Sequence, residues 1–245
     1  MVRLGGIYAL EGVMNTSEQY HQPVLEALCA FVRDGTKADL DAKRPRNTLP
    51  RGPRQRTAPR AAGAEPLAAQ RQHDRPTATE IQAVLTVIGR RAAIGTGSPN
   101  LANVLVPGAN LIRANLMDAN LTAADLSGAN LTEAYLDDAD LEGAKLKVVD
   151  LSRTHLSDAT LAKVDLTHAD LSYADLSGAD LSGANLENAK LGDADSGPTD
   201  YYPVRSSLDQ ADLSGANVTQ TQLDQTCGTN VRLDPGLTIK PCHPQ

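Results

Sequence analysis

Ala169-Asp-Leu-Ser-Tyr-Ala-Asp-Leu-Ser-Gly-Ala-Asp-Leu-Ser-Gly-Ala-Asn-Leu186 is a five-residue unit, Ala-Asp/Asn-Leu-x-x, written three times and begun a fourth. Working outward, every fifth position from Leu111 to Leu191 is leucine, seventeen in an unbroken frame, and alanine stands two residues earlier at most of them. A period of five suits neither common pattern. On an α-helix at ~100° per residue, successive leucines would spiral round every face. On a straight strand an odd spacing sends them alternately to opposite sides. They share one side only if the chain bends within each unit. Bends near 90° close a square coil of about twenty residues, with leucine and alanine inside and Gly, Ser, Thr, Asp and Asn on the outer and turn positions. Stacked coils then pair as parallel strands ~4.8 Å apart.

In these residues the chain resembles the pentapeptide-repeat proteins of bacteria. The resemblance spans 101–226 and implies an all-β solenoid, a right-handed quadrilateral parallel β-helix of about six coils. Val149, Thr154 and Val164 depart from the inner alanine and would widen the interior locally. Each buried leucine contributes on the order of 1.5–3 kcal/mol, but only once neighbouring coils cover it. The repeats contain no Phe or Trp, so the interior is narrow and aliphatic, without room for a ligand.

The flanks read differently. Residues 1–35 predict a helical hairpin: Leu4, Ile7, Tyr8 and Leu10, a break at Thr16 and Ser17, then a second helix opening near Pro23 and carrying Val24, Leu25, Leu28, Phe31 and Val32. Val2–Glu11 resembles a segment found upstream of the repeats in some bacterial members, where membrane-spanning segments come earlier still; this protein then reads as a shortened version. Residues 36–76, rich in Pro, Arg, Ala and Gln, predict a disordered linker. Its arginines (Arg44, Arg46, Arg51, Arg54, Arg56, Arg60) lack interleaved aromatics, which favours a solvated basic linker over a nucleic-acid contact. Thr77-Ala-Thr-Glu80 is a capping box, so 77–100 predicts a helix covering the first coil's edge, which would otherwise invite stacking between molecules. The frame breaks between Leu191 and Leu208, predicting a loop over 192–207 that displays Tyr201, Tyr202 and Arg205. Residues 227–245 resemble the family's C-terminal tail and close the last coil.

Charge and cysteines set further bounds. Residues 1–100 hold 14 Lys/Arg against 9 Asp/Glu, net +5, whereas 101–226 hold 7 against 20, net −13. No apolar run approaches the ~18–20 residues of a membrane helix, and a signal peptide is not recognisable. The expectation is a cytoplasmic protein. Cys227 and Cys242 would close a loop of about fifteen residues if bridged, adding ~3 kcal/mol; in a reducing cytosol free thiols are favoured. With His243 they make only a weak zinc set. Phosphate loops, HExxH, CxxC and nucleophile elbows are absent, so no catalytic, cofactor or metal residue is expected.

A twenty-residue ruler stacks Arg113, Glu133 and Arg153 in a column of alternating sign. It also stacks Asp118, Asp138 and Asp158 in an acidic ladder whose repulsion hints at function. The expected role is a non-enzymatic scaffold, monomeric or an end-to-end homodimer, that binds an unidentified protein partner through the Tyr201–Tyr202–Arg205 loop or a face. The alternative is an acidic DNA mimic that engages a type II topoisomerase without touching DNA. A rod of roughly 28 Å compares with B-DNA carrying about 16 charges over that length.

Overall fold

The computed structural model describes residues 2–43, 76–91, 97–192 and 206–242. From Asn100 onward the chain coils with a twenty-residue register. Asn100 pairs in parallel with Asn120, Leu105 with Asp125, Asn110 with Asn130 and Asn115 with Tyr135, and the pattern continues down the rod. Four five-residue units therefore make one coil, with four faces that we call A, B, C and D, starting at Asn100, Leu105, Asn110 and Asn115. Each pairing residue turns its own N–H and carbonyl to the preceding coil: Tyr135 N–H donates to the Ala114 carbonyl at 2.9 Å, and its carbonyl accepts from Leu116 N–H at 2.7 Å, while Ala134 and Leu136 make the same bonds to His155 on the next coil.

The unit's residue types follow from its geometry. Leucine and the inner alanine point inward and are almost fully buried, as for Leu136, Ala139 and Leu141, each 0% exposed. The outer Asp or Asn accepts the N–H two residues on: Asp150 Oδ1 from Ser152 N at 3.0 Å and from its hydroxyl at 2.6 Å, Asn130 Oδ1 from Thr132 N at 2.9 Å. These are Asx turns. The alanine N–H closes the corner on the leucine carbonyl three residues back, as Ala139 does on Leu136 at 3.1 Å. The residue before that alanine takes positive φ, as the third residue of a type II turn does. Gly128 meets this demand freely; Val148 holds the same conformation at φ 57°. Where the inner alanine is replaced, the hydroxyl of Thr154 donates to the Leu131 carbonyl at 3.0 Å, so the polar group is buried and paired.

Both ends of the rod are covered. At the N-terminal end, helices α1 (Val2–Thr16) and α2 (Glu18–Lys43) pack with α3 (Ala78–Gly89) over the first coil. Ile7, Met14, Leu25, Leu28, Val32, Val84, Leu85 and Ile88 join the rod's core. The α2 helix differs from the sequence expectation at both ends. It starts five residues before Pro23, which forgoes only one backbone bond near the first turn, and it runs through Gly35 to Lys43, where Lys37, Ala38, Leu40 and Ala42 favour helix. Residues 36–43, expected in the linker, are therefore helical, and residues 44–75 lie outside the described residues. The capping box of Thr77 and Glu80 forms, with each side chain bonded to the other's backbone N–H.

The first coil's open edge is met by side chains. The Gln82 amide donates to the Asn110 carbonyl at 2.7 Å and accepts Asn110 N–H at 2.9 Å, imitating a peptide of the missing preceding coil. The Gly89 carbonyl accepts Asn115 N–H at 2.8 Å; a Cβ on Gly89 would lie 2.8 Å from Ala114 Cβ, so only glycine allows this approach. Buried Arg91 donates to the carbonyls of Asn115, Gly97 and Met117. At the far end, α4 (Gln220–Leu223) repeats the device: the Gln220 amide donates to the Thr238 carbonyl at 2.9 Å and accepts its N–H at 3.0 Å. The tail returns beside the last coil, Gly228 N–H bonding the Lys240 carbonyl at 2.9 Å. Cys227 and Cys242 thus meet and form a disulfide, where the sequence argument favoured free thiols; their sulfurs are then not zinc ligands, and His243 lies outside the described residues. Cys29 is the buried free thiol, pushed up to about 11 by burial.

Two consequences are measurable. Val148 is 65% exposed yet holds a left-handed backbone, unfavourable for a β-branched residue by about 1–2 kcal/mol. Val148→Asn should raise the urea midpoint, by about 1 kcal/mol of stability; an unchanged midpoint would remove the strain argument. Second, Asp150 and Asp165 are held below the usual carboxylate range: partial burial raises them, but hydrogen bonds from Ser152 and Thr132, and from Thr167 and Lys147, outweigh it. Asp212 is lowered by Ser214, against slight burial and with help from Arg232. A carboxyl lowered by folding stabilises the fold above its unfolded pKa, ~3.9, and the contribution disappears as pH falls through the folded value. Urea midpoints should be level from pH 7 to 5 and fall from about pH 4 to 2; a level profile to pH 2 would contradict it.

Candidate functional site

With the interior filled, chemistry is confined to the surface, and the register decides which surface groups meet. Each cation of the described coils lies against an acid on an adjacent coil: Arg113 with Glu133 at 2.6 Å, Lys145 with Asp125 at 3.6 Å, Lys147 with Asp165 at 3.1 Å, Lys163 with Glu142 at 2.7 Å, and Lys190, Arg153 and Arg232 likewise. These exposed pairs are individually weak, ~0 to 1 kcal/mol. Their importance is that they balance face C and offset part of the charge on faces A and B, so that the largest uncompensated negative charge lies elsewhere.

It collects on face D, formed by residues 115–119, 135–139, 155–159, 175–179 and 207–211. This face holds Asp118, Asp137, Asp138, Asp158, Asp175 and Asp209, and neither lysine nor arginine. The side chains of Asp118, Asp137, Asp138 and Asp158 have no hydrogen-bond or ion-pair partner among the described residues. Asp118, Asp138 and Asp158 stand in one column, as the ruler predicts, each exposed and each at positive φ of 56–58°. The structure thereby supplies a gain that sequence reasoning missed: aspartate tolerates the left-handed turn, which offsets repulsion between neighbours. Arg91 lies near the top of this column, where the charge of Asp118 partly offsets its burial. The column below Asp158 continues with Gly178, where a Cβ would meet Asp158 Oδ1 at 2.2 Å.

Aromatic groups flank the carboxylates. Tyr135 and His155 stack with ring centroids 4.7 Å apart and planes 11° from parallel. Round the corner on face C, the Arg153 guanidinium lies 5.6 Å from the Tyr173 ring centroid. Both contacts join residues twenty apart, so the ruler that stacked the aspartates would have found them had it been laid over the tyrosines. Tyr201, Tyr202 and Arg205 lie outside the described residues. Their anchors do not: the chain leaves the ladder after Gly192 on face C and re-enters at Ser207 on face D. Asp175 pairs with Ser207 and Asp180 with Asp212, 32 apart instead of 20, after which Ser207 pairs with Cys227 at 20 again. The insertion is therefore twelve residues long and leaves from the corner that carries Tyr173. Among the described residues, no group of His, Cys, Asp and Glu could hold a metal ion, and no helix is long and apolar enough to cross a membrane.

Comparison with known proteins agrees with the coil. The family model for pentapeptide repeats matches in eight copies over residues 100–132, 114–153, 134–172 and 150–188. No curated protein sequence matches the chain. Among solved structures, the pentapeptide-repeat protein Rfr23 of the cyanobacterium Cyanothece 51142 is 32% identical over 47% of this chain and 64% of its own, with TM-score 0.36. This chain thus spans less than two thirds of that relative. A thylakoid-lumen pentapeptide-repeat protein of Arabidopsis thaliana is 34% identical over 38% of this chain and 69% of its own, TM-score 0.32. QnrB1, a plasmid-mediated fluoroquinolone resistance protein, is 20% identical over 56% of this chain and 78% of its own, TM-score 0.22. Through its five-residue repeat the chain belongs to the pentapeptide-repeat family, whose fold is the quadrilateral β-helix.

Proposed function

We propose that the protein is a non-enzymatic, rigid interaction scaffold of about six coils, at ~4.8 Å each, that docks a basic protein partner on face D. The observation that carries this reading is the segregation of charge: six carboxylates and no cation on one face, beside faces whose cations are paired. Tyrosine is enriched among binding hot spots, and Tyr135 offers an exposed ring within that field for a partner's lysine or arginine. The segment Ser196–Arg205, with Tyr201, Tyr202 and Arg205, is proposed as a second contact, because it springs from the edge of the same face. Closed ends favour a monomer over an end-to-end homodimer. Cytoplasmic residence, expected from the sequence, competes with the Cys227–Cys242 bridge, which an oxidising compartment would preserve.

One observation favours the DNA-mimic alternative as a second reading. Six carboxylates over five coils give one per roughly 4 Å of axis, against one per ~3.4 Å along a DNA strand. The likeness to QnrB1 adds nothing to it.

The test neutralises the column without disturbing its backbone. Asn keeps the left-handed turn, so Asp118→Asn, Asp138→Asn and Asp158→Asn together should leave the urea midpoint unchanged within ~0.5 kcal/mol. Immobilised wild-type chain should retain basic proteins from a lysate at about 0.1 M salt and release them near 0.5 M, as Debye screening shortens, while the triple variant retains roughly tenfold less. Equal retention by both would sink the face-D reading. A supercoiling assay with purified DNA gyrase separates the alternative: inhibition or protection by micromolar wild-type chain, lost in the triple variant, would favour mimicry, and no effect would remove it.

A further inference from the structure

The first coil's edge is closed unevenly. Asn110 is paired by Gln82 through both its N–H and its carbonyl, Asn115 by Gly89 and Arg91, and the Asn100 carbonyl accepts from Arg33. Leu105, on face B, is different. Its ladder partners lie on the Asp125 side, and among the described residues nothing pairs with its own N–H or carbonyl. Above it lies a groove of about 920 Å³ between the rod and the helical cap, walled by Tyr8, Thr36, Gln82, Thr86, Val106 and Pro107 among others. None of the lining residues is charged. Leu105 itself is apolar where the coils below carry Asp125, Lys145, Asp165 and Asn185 in the same column.

We propose that this groove is a peptide-binding site, in which an extended, uncharged segment of a partner protein adds as one more strand on Leu105. A free N–H and carbonyl on a ladder edge call for a backbone carbonyl and N–H opposite them, which is how the rungs below are satisfied. An apolar small molecule would leave both unpaired. The uncharged lining favours an uncharged segment over one rich in arginine, which would meet no carboxylate in the groove, or in proline, which lacks the N–H groups the edge needs. Faces B and D are opposite sides of the coil, so this site and the acidic face are independent.

The probe is acetyl-Val-Thr-Val-Thr-Val-amide, titrated into the full chain and followed by amide NMR and hydrogen exchange. The expected result is saturable shifts at Leu105, Val106 and Thr86, with Leu105 amide exchange slowed about tenfold or more. N-methylating the peptide's pairing amides should weaken binding about tenfold, the size of a lost backbone bond. Thr79→Trp, which fills the groove from α3, should abolish binding, whereas Asp138→Asn should leave it unchanged. No binding up to millimolar peptide, or equal binding of the N-methylated peptide with Leu105 exchange unaltered, would overturn the strand-addition site. Because the methylated peptide tests the wild-type chain, the outcome does not hang on whether Thr79→Trp folds.

Discussion

A chain that turns a square corner every five residues must place one residue per unit in the left-handed backbone region and must pair its outer residue with the coil above and below. The rest of the molecule depends on this joint constraint. Pairing at a twenty-residue register brings leucine over leucine and alanine over alanine, so burial and hydrogen bonding reinforce each other rung by rung. No single unit is stable alone. The cost appears where a residue such as Val148 occupies the left-handed position without the side chain for it.

The same register organises the surface. Like positions stack about one coil apart, so any residue type that recurs every twentieth place becomes a column. Alternating signs produce the Arg113–Glu133–Arg153 ladder, and aromatic neighbours produce the Tyr135–His155 stack. Aspartate recurring at a left-handed position produces the carboxylate column of face D. The column is therefore tolerated for conformational reasons and still available for recognition; backbone preference and surface potential act on the same side chains without conflict.

Solenoids must also end. A coil edge left open would recruit another molecule; here the Gln82 amide imitates a peptide on the first coil's edge, while at the far end the Gln222 amide takes the Leu186 and Ala189 carbonyls and the Gln220 amide holds the returning tail at Thr238. Arg91 and Arg33 take up further carbonyls at the N-terminal edge. Leu105 is the rung that the cap passes over, which is why the groove lies there and not at Asn110 or Asn115.

How much of this was legible beforehand follows from the range of the interactions. The leucine frame, the inner alanine, the Asx acceptors, the Thr77–Glu80 capping box and the break after Leu191 are local, within five residues or so, and can be read directly. The stacking of Asp118, Asp138 and Asp158 follows once the twenty-residue period is inferred. By contrast, Gln82, Gln220 and Arg91 lie in irregular flanks where no period predicts a neighbour, and Gln82, Gln220 and two of the three bonds of Arg91 reach partners 18 to 28 residues away. The twelve-residue length of the insertion emerged only when Asp175 was seen opposite Ser207. The meeting of Cys227 with Cys242 depends on a tail that pairs back on the last coil. Sequence alone determined the coil, because its forces repeat locally; tertiary structure decided how the rod is closed and which face is left charged, because those depend on groups that meet only once the coils have stacked.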